Sequence, residues 1–311
     1  CNEMLARRLL MLSLGSTTRV GGPIRSALRT VAASSISRRR FSTSSMMTYG
    51  DGMTQEDMMN KDMLILVDGA DQVTGAMSKR EAHTFTAETP RGWLHRAFSC
   101  FLFDSQGRML LTKRADSKIT FPGVWTNACC SHPLHGREPE EVDLDGGSDM
   151  PGAKHAARRK LGHELGIIPD EVPHADFRFV GRYHYWAADT LTYGALAPWG
   201  EHEVDYILLI RSDVTLEPNP DEVDEAVHVT PAQLRTMLKD DTLRWSPWFI
   251  GIMDRGGWEW WEHLDEALQP NSRFVSQNIV YFDPPAEHYT AFNLLSHGPS
   301  TGVRQKESST V

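Results

Sequence analysis

Cysteine is scarce: four in 311 residues, at positions 1, 100, 129 and 130. No two are spaced C-x-x-C, so neither a zinc-finger nor a thioredoxin-type spacing is present. Cys129 and Cys130 are adjacent, and a trans peptide holds their Cα atoms about 3.8 Å apart. Ordinary bridges span roughly 4.4–6.8 Å, so free thiols in a reducing compartment are expected. No uninterrupted apolar run is long enough to cross a bilayer, and no membrane span is expected. There is no internal repeat. Nor is there a Gly-rich phosphate loop, because Gly146-Gly147 lacks the preceding strand and the lysine of a P-loop. Basic charge is thin outside the first fifty residues. Eight of the 32 basic residues and one of the 41 acidic ones lie there, leaving 24 basic against 40 acidic in the remainder. A body that acidic repels a polyanion, which argues against a nucleic-acid partner. No feature calls for an obligate protein partner.

What is abundant at the start is arginine: Arg7, Arg8, Arg19, Arg25, Arg29, Arg38, Arg39 and Arg40, against the single acid Glu3. With the Ser-rich ASSISRRRFSTSS this is the composition of an organellar transit peptide, for plastid or mitochondrion. A disordered basic tail has the same composition, and would leave the protein in the cytoplasm. Arginines continue past any apolar stretch, which disfavours a secretory signal. The sequence opens on Cys1 rather than Met, so residues are expected to precede it. Residues 1–60 are read as a targeting or disordered extension, 61–270 as the folded domain, and the Ser/Gly/Pro-rich 271–311 as a flexible tail.

Within the domain, LILVDGADQVTGA and AFSCFLFDSQGRMLLTKRA read as hairpins. FRFVGRYHYWAAD and EVDYILLIR read as further strands. AKHAARRKLGHELGI is an amphipathic helix with Ala157, Leu161 and Leu165 on one face and Gly166 at its C-terminal cap. Thr230 and Pro231 open another helix. SPWFIGIMDRGGWEWWEHLDEAL is a last one, interrupted near Gly256-Gly257. Hairpins mixed with helices predict an α+β or layered α/β/α domain with a mixed sheet, not a run of βαβ units.

His83, His95 and His132 fall in three separate segments. In GEHEVD, strand alternation points Glu201 and Glu203 the same way and His202 the other. Three imidazoles and two carboxylates suit a divalent metal such as Zn²⁺, Mn²⁺ or Mg²⁺. A solvated acidic edge has the same spacing, and spacing alone leaves both open. RKLGHELGI at 159–167 resembles the end of the Nudix box, R-E-U-x-E-E-x-G-U with U apolar. It keeps Arg159, Leu161, Glu164, Gly166 and Ile167. Lys160 and His163 stand where two metal-binding glutamates belong, which disfavours diphosphate hydrolysis and leaves Glu164 to hold one cation.

HRAFSCFLFDSQGRMLLTKRADSKITFPGVWTNACCSHPL, AARRKLGHELGI, GEHEVDYILLIR and SPWF, in that order, resemble type I isopentenyl-diphosphate Δ-isomerase from about residue 62 to 265. The family has a Nudix-like fold and interconverts isopentenyl and dimethylallyl diphosphate. Moving a C=C bond by one position needs an acid, a base, exclusion of water and tolerance of a tertiary carbocation. The resemblance implies Cys130 and Glu203 as proton-transfer groups, assisted by Tyr185. It implies His83, His95, His132, Glu201 and Glu203 as metal ligands. It also implies a diphosphate-bound Mg²⁺ on Glu164 and the Cys130 carbonyl, with Lys79, Arg114, Lys118 and Lys160 around the small-molecule diphosphate. Trp248 would offer its ring face to the carbocation, a contact of about 1–2 kcal/mol when desolvated; plain helix packing is its alternative in this Trp-rich stretch. Cys129 is expected to be a packed neighbour of Cys130. Two departures stand out. The family usually has arginine at Lys160, so a bidentate contact becomes a point charge, and the segment between Tyr185 and Glu201 is longer than usual. Gly162 also weakens its helix by about 1 kcal/mol relative to Ala. A Nudix diphosphate hydrolase and a binding module with a structural metal are the competing readings; a five-ligand cluster beside a free cysteine argues against the second, since structural zinc sites are four-coordinate.

Overall fold

Nine consecutive residues, HRAFSCFLF at 95–103, are buried on both faces of their strand, and the sheet is assembled around them. The computed structural model describes residues 49–50, 52–144 and 149–296. In chain order the strands are β1 (Met63–Val67), β2 (Val73–Ser78), β3 (His95–Phe103), β4 (Met109–Arg114), β5 (Trp125–Asn127), β6 (Cys129–Ser131), β7 (Arg178–Ala188), β8 (Gly200–Arg211), β9 (Val223–Val229) and β10 (Ile279–Tyr281). The main path is β10-β7-β8-β3-β1-β2. β3 pairs along its whole length with β8, in parallel. Its other edge is shared in turn by β1, β6 and β4, all antiparallel. β4 carries β5 and β9 onward. The mixed sheet and its flanking helices match the expected layered α+β architecture; β9 was not foreseen.

Helices cover both faces. The first three are α1 (Gln55–Lys61), α2 (Lys79–His83) and α3 (Pro151–Leu165). On one side α3 lays Ala153, Ala157, Leu161 and Leu165 against Cys100, Leu102, Cys129 and Leu208. Its end is fixed by Gly166 at φ 68°, whose N–H donates to the Gly162 carbonyl at 3.0 Å. A short α4 (Thr190–Tyr193) follows β7, and α5 (Pro231–Met237) opens on a capping box between Thr230 and Gln233. On the other side α6 (Pro247–Ile252) and the residues that follow bring Trp248, Phe249, Ile252, Trp260 and Trp261 onto Phe101, Phe103, Tyr185 and Leu209. The expected interruption of this last helix is a kink, with Arg255 at φ −114° and Gly256 at φ 150°. Among the described residues no helix is long and apolar enough to cross a membrane.

Two boundary expectations are corrected. α1 forms before residue 61 and buries Met58 and Met59, so part of the expected extension is folded. The expected C-terminal tail is ordered through residue 296: Ile279–Tyr281 joins the edge of β7, Phe282 enters the core, and α9 (Ala291–Ser296) closes the segment. Between them lie α7 (Trp258–Glu262) and α8 (Leu264–Ala267). These contacts involve partners far away in sequence, so local periodicity carries no sign of them. Residues 1–48 and 297–311 lie outside the described residues.

One buried ionic knot ties the β1–β2 turn to the sheet. Asp71, at φ 64°, accepts from Arg96 Nε on β3 (2.8 Å), Arg182 Nη1 on β7 (2.7 Å) and the Tyr206 hydroxyl on β8 (2.5 Å). Removing the carboxylate strands two guanidinium groups in the interior. Asp71→Ala is expected to lower the unfolding free energy in urea by about 3–5 kcal/mol. Asp71→Asn, which tolerates the left-handed backbone and keeps one acceptor, should lose less.

Candidate active site and metal centre

Strand register assembles the site. β3 and β8 set His95 beside Glu203, and β7 and β8 set Tyr185 beside Glu203 and Ala187 beside Glu201. His95, Glu203 and Tyr185 therefore project from one face of three adjacent strands. β6 pairs with β3 so that Cys130 lies opposite Ser99 and Cys129 opposite Cys100. Alternation then sends the two neighbouring thiols to opposite faces. Cys129 enters the core beneath α3, while Cys130 joins the Glu203 face, and His132 follows it two residues later. α2 supplies His83 from its last position.

His83, His95, His132, Glu201 and Glu203 are all buried, with ligand atoms mutually within 4.8 Å. His83 Nδ1 lies 2.7 Å from the Lys79 carbonyl and His95 Nδ1 lies 2.7 Å from the Trp93 carbonyl. A carbonyl only accepts, so each Nδ1 carries the hydrogen and each Nε2 keeps a lone pair turned into the cluster. Those Nε2 atoms and Glu201 Oε2 are buried without a hydrogen-bond partner. His83 Nε2 and Glu201 Oε2 stand 2.7 Å apart, yet without hydrogen-bond alignment. His132 Nε2 lies 2.9 Å from Glu203 Oε1. Burial holds His83 and His132 below the usual imidazole range, hence neutral. Despite burial, Glu201 and Glu203 both lie below the usual carboxylate range, and the Tyr185 hydroxyl donates to Glu203. Neutral imidazoles, ionised carboxylates and orphaned donor atoms facing one point fit a divalent cation.

Cys130, Tyr185, Glu201, Glu203, His132 and Trp248 line one narrow pocket, with Lys79, Arg114, Lys118 and Glu164 along it. Of the residues expected at the site, only His83, His95 and Lys160 do not line it. Lys160 instead pairs with Glu164 at 3.0 Å. A larger hollow bounded by Tyr49, Arg137, Arg158 and Asp221 contains neither Cys130 nor Tyr185 nor any of His83, His95 and His132.

The Cys130 thiol donates to Asn127 Oδ1 at 2.9 Å. Asn127 can only be oriented this way, because its amide NH₂ donates to the Cys100 and Cys129 carbonyls at 2.9 and 3.2 Å. Trp248 Nε1 points at the sulfur from 3.1 Å. Its ring packs against the edge of Phe121, with Arg114 Cζ 6.0 Å from its centroid. Trp248 thus belongs to the core and to the pocket at once. Burial, then the negative field of Asp205, pushes the Cys130 thiol up to about 12, so it is a neutral S–H rather than a thiolate at pH 7. The Tyr185 hydroxyl donates to Glu203 Oε2.

Three participants escaped the sequence reading. Asp205 continues the alternation of Glu201 and Glu203 and accepts from Ser99 at 2.7 Å; burial and Glu203 raise its carboxyl well above the usual range. Its parity in GEHEVD was a usable signal. Asn127 stood inside the TN-x-x-C stretch. Glu222 had no signal: it precedes β9, pairs with Lys118, and lies 3.0 Å from the Nε2 of His163, the residue in the Nudix glutamate position. Burial, opposed by Glu222, lowers Lys118 to about 8. Arg114 spends its hydrogens on the Phe121 and Thr120 carbonyls at 2.9 and 2.8 Å, which aims its stem along the pocket wall.

The NUDIX domain model matches residues 93–249. Fold and site together define an enzyme built on that domain, with a buried cluster suited to a divalent metal. Isopentenyl-diphosphate Delta-isomerase I, chloroplastic, of Arabidopsis thaliana is 40% identical over 274 residues, 84% of this chain and 90% of that protein. Isopentenyl-diphosphate delta-isomerase IDI1 of Gibberella zeae is 43% identical over 226 residues, 73% and 85% respectively. The isopentenyl-diphosphate delta-isomerase of Schizosaccharomyces pombe is 43% identical over 211 residues, 67% and 86%. The chain belongs to the isopentenyl-diphosphate Δ-isomerase family.

A cluster that binds metal only when folded stabilises the fold by mass action. A divalent cation at about 100 times its Kd is expected to raise the unfolding free energy by about 2.7 kcal/mol. A chelator should reverse the gain, and the double variant His83→Ala/His95→Ala should show none of it in the same denaturation experiment.

Proposed function

We propose that this protein interconverts isopentenyl diphosphate and dimethylallyl diphosphate by protonation and deprotonation through a tertiary carbocation. The observation that carries this reading is that the Cys130 thiol and the Glu203 carboxylate open into one narrow pocket lined by basic side chains. The thiol, held as S–H, delivers a proton to the terminal alkene carbon. Positive charge then rests on the tertiary carbon, and Glu203 removes a proton from the carbon on its other side to leave the double bond one position along. Tyr185 steadies the Glu203 carboxylate through its hydroxyl, and the buried walls keep water from the cation. Trp248 offers a π surface beside it.

His83, His95, His132, Glu201 and Glu203 would hold the divalent metal, as Zn²⁺, Mn²⁺ or Mg²⁺; bound there, it supplies a fixed positive charge that favours the ionised carboxylates. Glu164 and the Cys130 carbonyl would hold a Mg²⁺ carried in by the diphosphate. Lys79, Arg114, Lys118 and Lys160 then neutralise the diphosphate oxygens. A hydrolase is disfavoured because two Nudix glutamate positions are a lysine paired with Glu164 and a histidine paired with Glu222. The Arg- and Ser-rich residues 1–48 support delivery to an organelle, and two Arabidopsis relatives carry "chloroplastic" in their names.

Incubation with isopentenyl diphosphate and Mg²⁺ in D₂O is expected to place deuterium in the allylic product; phosphate release instead would overturn the reading. Cys130→Ala should lower kcat by at least the roughly 10²–10⁴-fold of a lost proton-transfer group. Cys129→Ala, on the other face, should keep most of the activity. Equal losses would show the pair assigned wrongly.

A further inference from the structure

Behind Tyr185 stands an aromatic column that the chemistry above leaves unused, delivered by a segment far along the chain. β10 adds to the edge of β7 in parallel, with Tyr281 opposite His184, and the Phe282 amide donates to the His184 carbonyl at 3.1 Å. This register lays the Phe282 ring on the Tyr185 ring, centroids 5.4 Å apart and planes 9° apart. Phe282 is nearly buried, and Arg255 Cζ stands 4.6 Å from its ring centroid. Tyr183 meets it edge-on at 6.1 Å. Trp248 neighbours Tyr185 as well, at 6.2 Å and 30°.

Gly251 on α6 makes the room. A Cβ at that position would lie 2.3 Å from Phe282 Cε2 and 2.5 Å from Cζ, so any side chain there must push the ring away. The same short helix carries Trp248, so one element shapes the pocket wall and the space for Phe282.

The Tyr185 hydroxyl has one acceptor, Glu203 Oε2. A phenol ring can rock about its side-chain torsions, and a rocking ring carries its hydroxyl off the carboxylate. A parallel ring against its face removes that freedom. We propose that Phe282 is a positioning residue for the isomerisation, holding the Tyr185 ring so that its hydroxyl stays on Glu203. The inference rests on the roles given above to Tyr185 and Glu203.

The test first measures deuterium incorporation by the unaltered protein, which separates failure of the isomerase reading from failure of the Phe282 role. No incorporation overturns both. Given turnover, Phe282→Ala and Gly251→Ala are each expected to lower kcat by roughly tenfold, inside the roughly 10²-fold that a 1 Å misplacement costs. KM for isopentenyl diphosphate should stay within about twofold, since neither residue lines the pocket. Phe282→Tyr, which keeps the stack, should restore kcat. In a Tyr185→Phe background Phe282→Ala should cost nothing further. Wild-type kcat in Phe282→Ala, or the same loss with and without the Tyr185 hydroxyl, overturns the proposal. Should Phe282→Ala not fold, Gly251→Ala and Phe282→Tyr decide it, because both retain the aromatic rings.

Discussion

The structure depends on the parallel pairing of β3 with β8. Strand alternation has a period of two, so a slip of one residue would turn His95 away from Glu203 and every core residue of β3 toward the wrong layer. Because β3 buries apolar residues on both faces, with helices packed above and below, that slip is opposed by the burial of Phe98, Cys100 and Leu102 on one side and Phe101 and Phe103 on the other. The precision of the His/Glu cluster is therefore inherited from hydrophobic packing. The polar residues of the pocket gather on the face that also carries His95 and Glu203.

Concentrating acid on that face is costly, and the surroundings are arranged around the cost. Glu201, Glu203 and Asp205 follow one another along β8, all buried. Two of them lie below the usual carboxylate range and stay ionised, while burial and Glu203 push the third toward its neutral form. Three mutually repelling charges thereby become two, facing a cluster that suits a cation. Around Glu164 the logic is the opposite: Lys118 and Lys160 are matched by Glu222 and Glu164, so neither positive charge is stranded in the interior.

How much of this was legible in the sequence follows from the range of each interaction. Glu201 and Glu203 could be placed on one face because parity is local. The caps at Gly166 and Thr230 and the interruption at Gly256 were legible for the same reason. Residue types suggested a grouping of His83, His95 and His132 with Glu201 and Glu203, but spacing left that open, and only the resemblance implied that the three separate segments meet. Glu222 and Phe282 were invisible, because a lone acid in a loop and a phenylalanine near Pro-Pro are ordinary until their partners Lys118 and Tyr185 are known.

The opposed faces of Cys129 and Cys130 have a further consequence for the durability of the protein. Peroxides and electrophiles consume thiolates, and oxidation to a sulfenic acid begins from that form. Here one thiol is sealed under α3, and the other is kept as S–H, its hydrogen directed at an asparagine oxygen and its lone pairs met by an indole. Nor do the two face each other to form a bridge. A thiol kept as S–H lacks the nucleophilicity that makes thiolates vulnerable, and the fold withholds it here.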